Sequence, residues 1–140
     1  IGTRFPVVPA VFSRIISGEL PGHFAHRDEK CAAFLSIAPI QPGHTLVVPV
    51  EEVDDWTDAD RDLLGHLMTV ARSVGRAQHR VYRPVKVGLM IAGLEVPHLH
   101  LHVVPIGTVH DLDFSNADSS VTSEQLAAEA EKLRAAMADL

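Results

Sequence analysis

The stretch Val96-Pro97-His98-Leu99-His100-Leu101-His102-Val103-Val104-Pro105 decides how the rest of the chain is read. Side chains of an extended segment alternate between two faces with a period of two. A strand over 99–104, stopped by Pro105, therefore sets His98, His100 and His102 on one face and Leu99, Leu101 and Val103 on the other. The apolar face is suited to a core, and the opposite face carries three imidazoles in a row.

Working outward, residues 85–92 read as a strand ending at Gly93. Upstream, Leu63, Leu64, Leu67, Val70, Ala71 and Val74 recur at helical spacing. With Thr57 as N-cap and Asp58 and Asp60 in the favourable first turn, they predict an amphipathic helix over 58–79. Residues 31–37 and 45–50 read as strands, separated by the Pro39, Pro42 and Gly43 that cannot continue a ladder. Val11 to Ile16 suggests a short helix closed by Gly18, and Thr122 with Gln125 forms a capping-box pattern opening a helix over about 123–139. Its apolar stripe is Leu126, Ala130, Leu133 and Met137. Strand runs with one long internal helix and no βαβ alternation predict an α+β domain with an antiparallel sheet.

The chain of 140 residues suits one domain with its own core, and no repeat or linker divides it. A net charge of -6 argues against broad, sequence-independent nucleic-acid binding, which needs a basic surface. No apolar run approaches the ~20 residues of a membrane span, and Ile1 to Pro9 lack the layout of a secretory signal. Cys31, the single cysteine, excludes an internal disulfide, favours a reducing compartment such as the cytoplasm, and sits in an apolar run that reads as buried.

Nine histidines in 140 residues would give an alternating triple by chance in roughly 4% of such sequences, so the pattern alone does not decide its chemistry. Three readings compete. The imidazoles could simply face solvent. They could hold a metal, although same-face residues spaced ~7 Å apart along a strand converge poorly on one ion at ~2 Å. Or one could attack phosphorus while its neighbours hold phosphate oxygens and fix a tautomer, because neutral imidazole is both nucleophile and proton carrier near neutral pH. The last reading also uses Gly93, where a missing side chain lets backbone approach a ligand.

The run from Gly93 through His98, His100 and His102 to Val103-Val104-Pro105 resembles the signature of the histidine triad (HIT) superfamily. A second block, Ala33-Phe34-Leu35-Ser36-Ile37, then Pro39, then Pro42-Gly43-His44-Thr45-Leu46-Val47-Val48-Pro49, resembles that family's other motif. The resemblance spans about 11–106 and implies a HIT-like fold of five antiparallel strands and one long internal helix. The extension, 107–140, matches no motif and adds the terminal helix to the same single domain. Family members hydrolyse or transfer nucleoside monophosphates, often from phosphoramidates or dinucleoside polyphosphates, and usually pair as homodimers with a continuous sheet.

Carried over by position, His100 would attack the α-phosphorus and form a nucleotidyl-histidine intermediate. His102 would contact phosphate and leaving group, His98 would orient His100, and His44 would support them. Phe34, Leu35 and Ile37 would line the base and ribose pocket. The implied partner is a small nucleotide substrate, with no cofactor, metal, nucleic acid or membrane. A nucleotide- or phosphate-binding module with little turnover is the alternative.

The departures from the family fall on ligand contacts. Ser36 stands where many members hold the ribose with Asp, Val87 where the nucleotide-binding branch often has Asn, and Leu94 and Glu95 where it has Gln and Ser. An ionised carboxylate ~4 Å from a phosphate would be repelled by about 4 kcal/mol at an effective dielectric of ~20. Glu95 is therefore expected to point away, to pair with a histidine, or to meet a cationic or hydroxyl-bearing leaving group. The zinc-binding branch carries Cys-x-x-Cys near its N-terminus and Lys-x-His after the second strand. Ala10 and Ser13, then Val50 and Glu52, stand there instead, so no structural metal is expected. His23, His26, His66, His79 and His110 read as surface or helix-face filling.

Overall fold

The computed structural model describes residues 11–138. Residues 1–10, Ala10 among them, and 139–140, with the end of the expected terminal helix at Asp139, lie outside them. Helix α1 (Val11–Ile16) leads to strands β1 (Phe24–Arg27), β2 (Cys31–Leu35) and β3 (Thr45–Pro49). Helix α2 (Arg61–Tyr82) crosses to β4 (Lys86–Met90) and β5 (Leu101–Ile106), and α3 (Ser123–Ala138) follows two 3-10 turns. The strands form one antiparallel sheet in the order β1-β2-β3-β5-β4. This is the α+β, five-stranded architecture expected.

Period-two alternation separates two cores. Cys31, Ala33, Val47, Leu101 and Val103, with Leu99 just ahead of β5, face α2 and pack on Leu67, Val70, Ala71 and Val74. Ala32, Phe34, Leu46 and Val48 face the other way, against Phe12 of α1. Each fully buried side chain of this size contributes roughly 1.5–3 kcal/mol. Helix α3 carries Leu126, Ala130 and Leu133 into a third cluster with Ala77, Leu35 and Ala25, so the extension shares the core. Its capping box forms as expected: Thr122 N–H donates to Gln125 Oε1 (2.8 Å), and Gln125 N–H to Thr122 Oγ1 (3.1 Å).

Several boundaries differ from expectation: the strands expected over 31–37, 45–50 and 85–92 are shorter, and β5 begins at Leu101 instead of Leu99. Thr57 lies in a 3-10 turn, Trp56–Asp58, capped by Asp55, and the long helix begins three residues beyond the expected start. Asp60 is its N-cap, accepting from Asp62 N–H at 2.9 Å. Successive Asp and Thr residues offer equivalent capping oxygens, and only packing selects among them. At its other end α2 runs past residue 79 to Tyr82 and stops at Arg83, which is left-handed (φ 50°) and precedes Pro84. Strand β5 continues through Pro105 to Ile106 because β3 ends its pairing at Thr45 opposite Val103. Pro105, beyond that point, has no β3 partner needing its missing N–H. Strand β1 was not anticipated; Phe24-Ala25-His26-Arg27 is short and carries a register irregularity between Phe24 and His26.

Gly43 ends the loop before β3 with φ +85°, and a Cβ there would lie 2.3 Å from the Tyr82 ring. Both the backbone angle and the aromatic contact require glycine. Gln78 Nε2 donates to the Gly43 and Val103 carbonyls (2.9 Å each), binding α2 to the loop that delivers His44.

Candidate active site

Register places the floor of the site. Phe24 opposes Phe34, Phe34 opposes Leu46, Leu46 opposes His102, and His102 opposes Met90. Directly opposed residues share a face, so this row crosses the sheet on the side away from α2. Over it lies a pocket of about 390 Å³, lined by Phe34, Leu35, Ser36, Ile37, His44, Glu95, His100 and His102, with Phe12 and Phe114 among its walls. Gly93, at φ +78°, and Leu94 instead line a second pocket beside Asp54 and Trp56, which His100 also borders. His98 lies behind, fully buried, with its ring 5.9 Å from that of Phe12.

Hydrogen bonds fix the tautomers because carbonyl oxygens only accept and amide N–H groups only donate. His100 Nδ1 lies 2.7 Å from the His98 carbonyl, so Nδ1 carries the proton and Nε2 keeps its lone pair. Ile40 N–H donates to His44 Nδ1 at 3.1 Å, which puts the His44 proton on Nε2. That Nε2–H donates to His102 Nδ1 at 2.9 Å, leaving the His102 proton on Nε2. One ring of the adjacent pair thus offers a lone pair and the other a donor. His98 Nε2–H donates to the Pro49 carbonyl at 2.7 Å, while its buried Nδ1 has no partner among the described residues. The three triad imidazoles therefore do not converge on one point.

His98 and His100 precede the ladder, where His98 N–H turns back to the Val96 carbonyl. This bend brings the His100 and His102 rings to 4.8 Å, closer than the ~7 Å repeat of a straight strand. Phe12 packs edge-on to His100 (4.9 Å) and Phe114 to His102 (5.1 Å). Phe12 and Phe114 carried no local signal in the sequence, since their partners lie far along the chain. His23, read as surface filling, lines the pocket and meets Ser123 Oγ at 3.1 Å.

Burial pushes the His44 pKa down to about 3, helped by the charges of His102 and His100. Burial, then His100, lowers His102 to about 4. His100 is also lowered, first by burial, with the His98 carbonyl and the Glu95 carboxylate pulling partly back. All three are neutral at pH 7.

The departures sort by face. Val87 packs toward Gly75 of α2, on the core side. Ser36 Oγ accepts from Ala38 N–H at 3.3 Å, holding its own loop. Glu95 stays in the pocket wall, exposed. Where the family's zinc-binding branch has sulfur and imidazole donors, Ser13 Oγ donates to Glu52 Oε1 at 2.7 Å. That hydroxyl and carboxylate do not fit a thiolate-bound zinc.

The HIT domain family model matches residues 17–109, and the chain belongs to this family. It is 33% identical over 102 residues to an uncharacterised HIT-like protein of Borreliella burgdorferi, covering 68% of this chain and 73% of that one. A HIT-like protein of Methanocaldococcus jannaschii is 32% identical over 99 residues, covering 68% and 77%. Among solved structures, a hypothetical histidine triad nucleotide-binding protein from Sulfolobus tokodaii superposes with a TM-score of 0.81 at 28% identity, covering 93% of each chain. A zinc-bound histidine triad family protein from Mycobacterium smegmatis gives 0.80 at 28% identity over 94% of each.

Folding stability should follow these histidines. Unfolded, they take up protons near pH 6.5; folded, His44 and His102 do so only at about 3 and 4. Between those limits the unfolded state binds more protons, so their contribution is intact above about pH 6.5 and is lost as pH falls. Urea midpoints should decline from neutral pH toward about pH 4, and more shallowly in His44→Gln. Equal slopes in the two proteins would contradict this assignment.

Proposed function

We propose that this chain is a nucleotidyl hydrolase or transferase that attacks the α-phosphorus of a phosphoramidate or dinucleoside polyphosphate through His100. The observation that carries the reading is the tautomer pair: an Nε2 lone pair on His100 beside an Nε2–H on His102, rings 4.8 Å apart. In the first step His100 Nε2 bonds to phosphorus. The bond to the leaving group breaks with its electron pair, and that group takes up a proton from solvent. His102 Nε2–H donates a hydrogen bond to a phosphate oxygen or to the leaving atom. In the second step water or another acceptor bonds to phosphorus and releases its proton to solvent, and the phosphorus–nitrogen bond to His100 breaks with its electron pair returning to Nε2. Two easier displacements replace one difficult one.

Membership of the HIT domain family supports a nucleotide-binding or hydrolase-type function, and one structural neighbour is described as a HIT family hydrolase from Legionella pneumophila. In this reading Phe34, Leu35 and Ile37 hold the base and ribose, with one hydrogen bond from Ser36. Gly93 and Leu94 border the leaving-group side. A cytoplasmic setting fits the lone, buried Cys31. No described helix is long and apolar enough to cross a membrane. The binding-module alternative draws on Ser36, whose hydroxyl oxygen holds its own loop, and on the acid at Glu95.

The test is release of nucleoside monophosphate from a panel of phosphoramidates, dinucleoside polyphosphates and phosphosulfates. His100→Ala should lower kcat by at least roughly 10³-fold, the scale on which a nucleophile acts, while still binding a monophosphate. Undiminished turnover in that variant removes His100 as nucleophile. Monophosphate binding by wild type with no turnover anywhere in the panel favours the binding module.

Glu95 should set leaving-group preference, its carboxylate disfavouring anionic groups. Glu95→Ser is expected to raise kcat/KM for dinucleoside polyphosphates over amine-linked substrates by roughly tenfold, about 1.4 kcal/mol. A shift toward amine-linked substrates would sink the idea.

Homodimerisation belongs to the same proposal. Strand β4 ends the sheet among the described residues, and Val85 just before it and Leu89 within it are 74% and 41% exposed. Sedimentation should give twice the 15.2 kDa chain mass; a single-chain mass at working concentration overturns it.

A further inference from the structure

On the opposite side of the sheet from the triad, three elements deliver metal-ligand atoms to one carboxylate oxygen. His26 Nε2 of β1 lies 2.6 Å from Asp28 Oδ2, and His66 Nε2 of α2 lies 2.8 Å from the same atom. Cys31 Sγ of β2 approaches it from the core at 3.6 Å. The ligand atoms of His26, Asp28 and Cys31 all lie within 4.8 Å of one another. Asp28 Oδ1 is engaged elsewhere, accepting from the Lys30 and Cys31 N–H groups at 2.8 Å each, so the turn fixes the direction in which Oδ2 points.

We propose that His26, Asp28, Cys31 and His66 form a binding site for a divalent transition-metal ion of the zinc class. Two imidazoles, one carboxylate and one thiolate are a donor set that suits zinc in tetrahedral geometry. Bonds of ~2.0–2.3 Å at tetrahedral angles separate ligand atoms by ~3.3–3.7 Å. The sulfur–oxygen distance already has that value. From 2.6 and 2.8 Å the two histidines must withdraw from Oδ2 by roughly 0.7 and 0.5 Å to reach ~3.3 Å, and their side chains, each 31% exposed, are placed to do so.

Binding would move the ring proton of each histidine from Nε2 to Nδ1 and release the Cys31 proton to solvent, with both sulfur electrons passing into the metal bond. Cys31, with no exposed surface, closes the site from below. The histidines face the groove between α2 and α3 that Thr69, Ser73 and Arg134 also line. Among the described residues no arginine bonds Asp28, whose side-chain partners are the two histidines and the thiol.

Cobalt substitution tests this on the full chain. Chelator-treated protein titrated with cobalt(II) should bind one ion and develop tetrahedral d–d bands with a sulfur-to-cobalt charge-transfer band. The chain contains one cysteine, so the sulfur band places the ion at Cys31 without any variant. Zinc alone should raise Tm, because it binds the folded state. His26→Gln and His66→Gln should each weaken zinc binding by at least the roughly 10–100-fold that loss of an outer-shell partner costs. No stoichiometric binding, a bound cobalt ion without the sulfur band, or undiminished affinity in the His26→Gln/His66→Gln double variant overturns the proposal.

Discussion

A carbonyl oxygen can only accept, and the His98 carbonyl accepts from His100 Nδ1 at 2.7 Å. That bond fixes which nitrogen of His100 is left to act. It also explains why the segment bends before it joins the sheet. The turn from Val96 to His98 directs the His98 carbonyl toward the imidazole of His100. His98 itself is held by the Pro49 carbonyl at the end of β3. The reactive nitrogen is thus set by backbone groups, which cannot change their proton count with pH. A similar device operates through Ile40 N–H, His44 and His102, with the opposite result, a donor at the pocket.

Burial gives these tautomers their meaning. The pocket walls are largely hydrocarbon and aromatic, and burial is the first cause lowering the pKa of His44, His102 and His100. A charged imidazole would be a poor nucleophile, and desolvation keeps His100 neutral without any acid or base being assigned to it. Glu95 works in the other direction, favouring the charged form of His100. A carboxylate in the wall of this pocket would repel an anionic ligand group brought beside it. Its position therefore bears on which ligands the pocket admits.

Much of this was legible in the sequence because short-range patterns carried it. The alternation over 98–104 separated the imidazoles from Leu99, Leu101 and Val103, which do enter the α2 core. Thr122 and Gln125 announced the terminal helix by a local hydrogen-bond pattern that forms as written. The failures arise where distant parts of the chain decide. Asp55, Thr57 and Asp60 offer interchangeable caps, and packing chose the last for the helix. Phe12 and Phe114 reach the triad across the fold, and no spacing rule relates them to it. Val87 looked like a lost ligand contact, yet its strand position turns it toward Gly75. The pairing of His26 with His66 through Asp28 depends on where α2 passes the turn between β1 and β2, and both histidines read only as surface or helix-face filling.

The sheet keeps these two histidine groups apart while joining them mechanically. Cys31 is the register partner of Pro49, and the Pro49 carbonyl holds His98. Side chains of adjacent residues point to opposite faces, so Cys31 turns its sulfur to the α2 core while Ala32 joins the Phe12 cluster. A charge or ion at Asp28 is thereby separated from His100 by the thickness of a packed sheet. The group around Asp28 thus lies on the α2 side of the sheet, and the pocket that His100 and His102 line lies on the other.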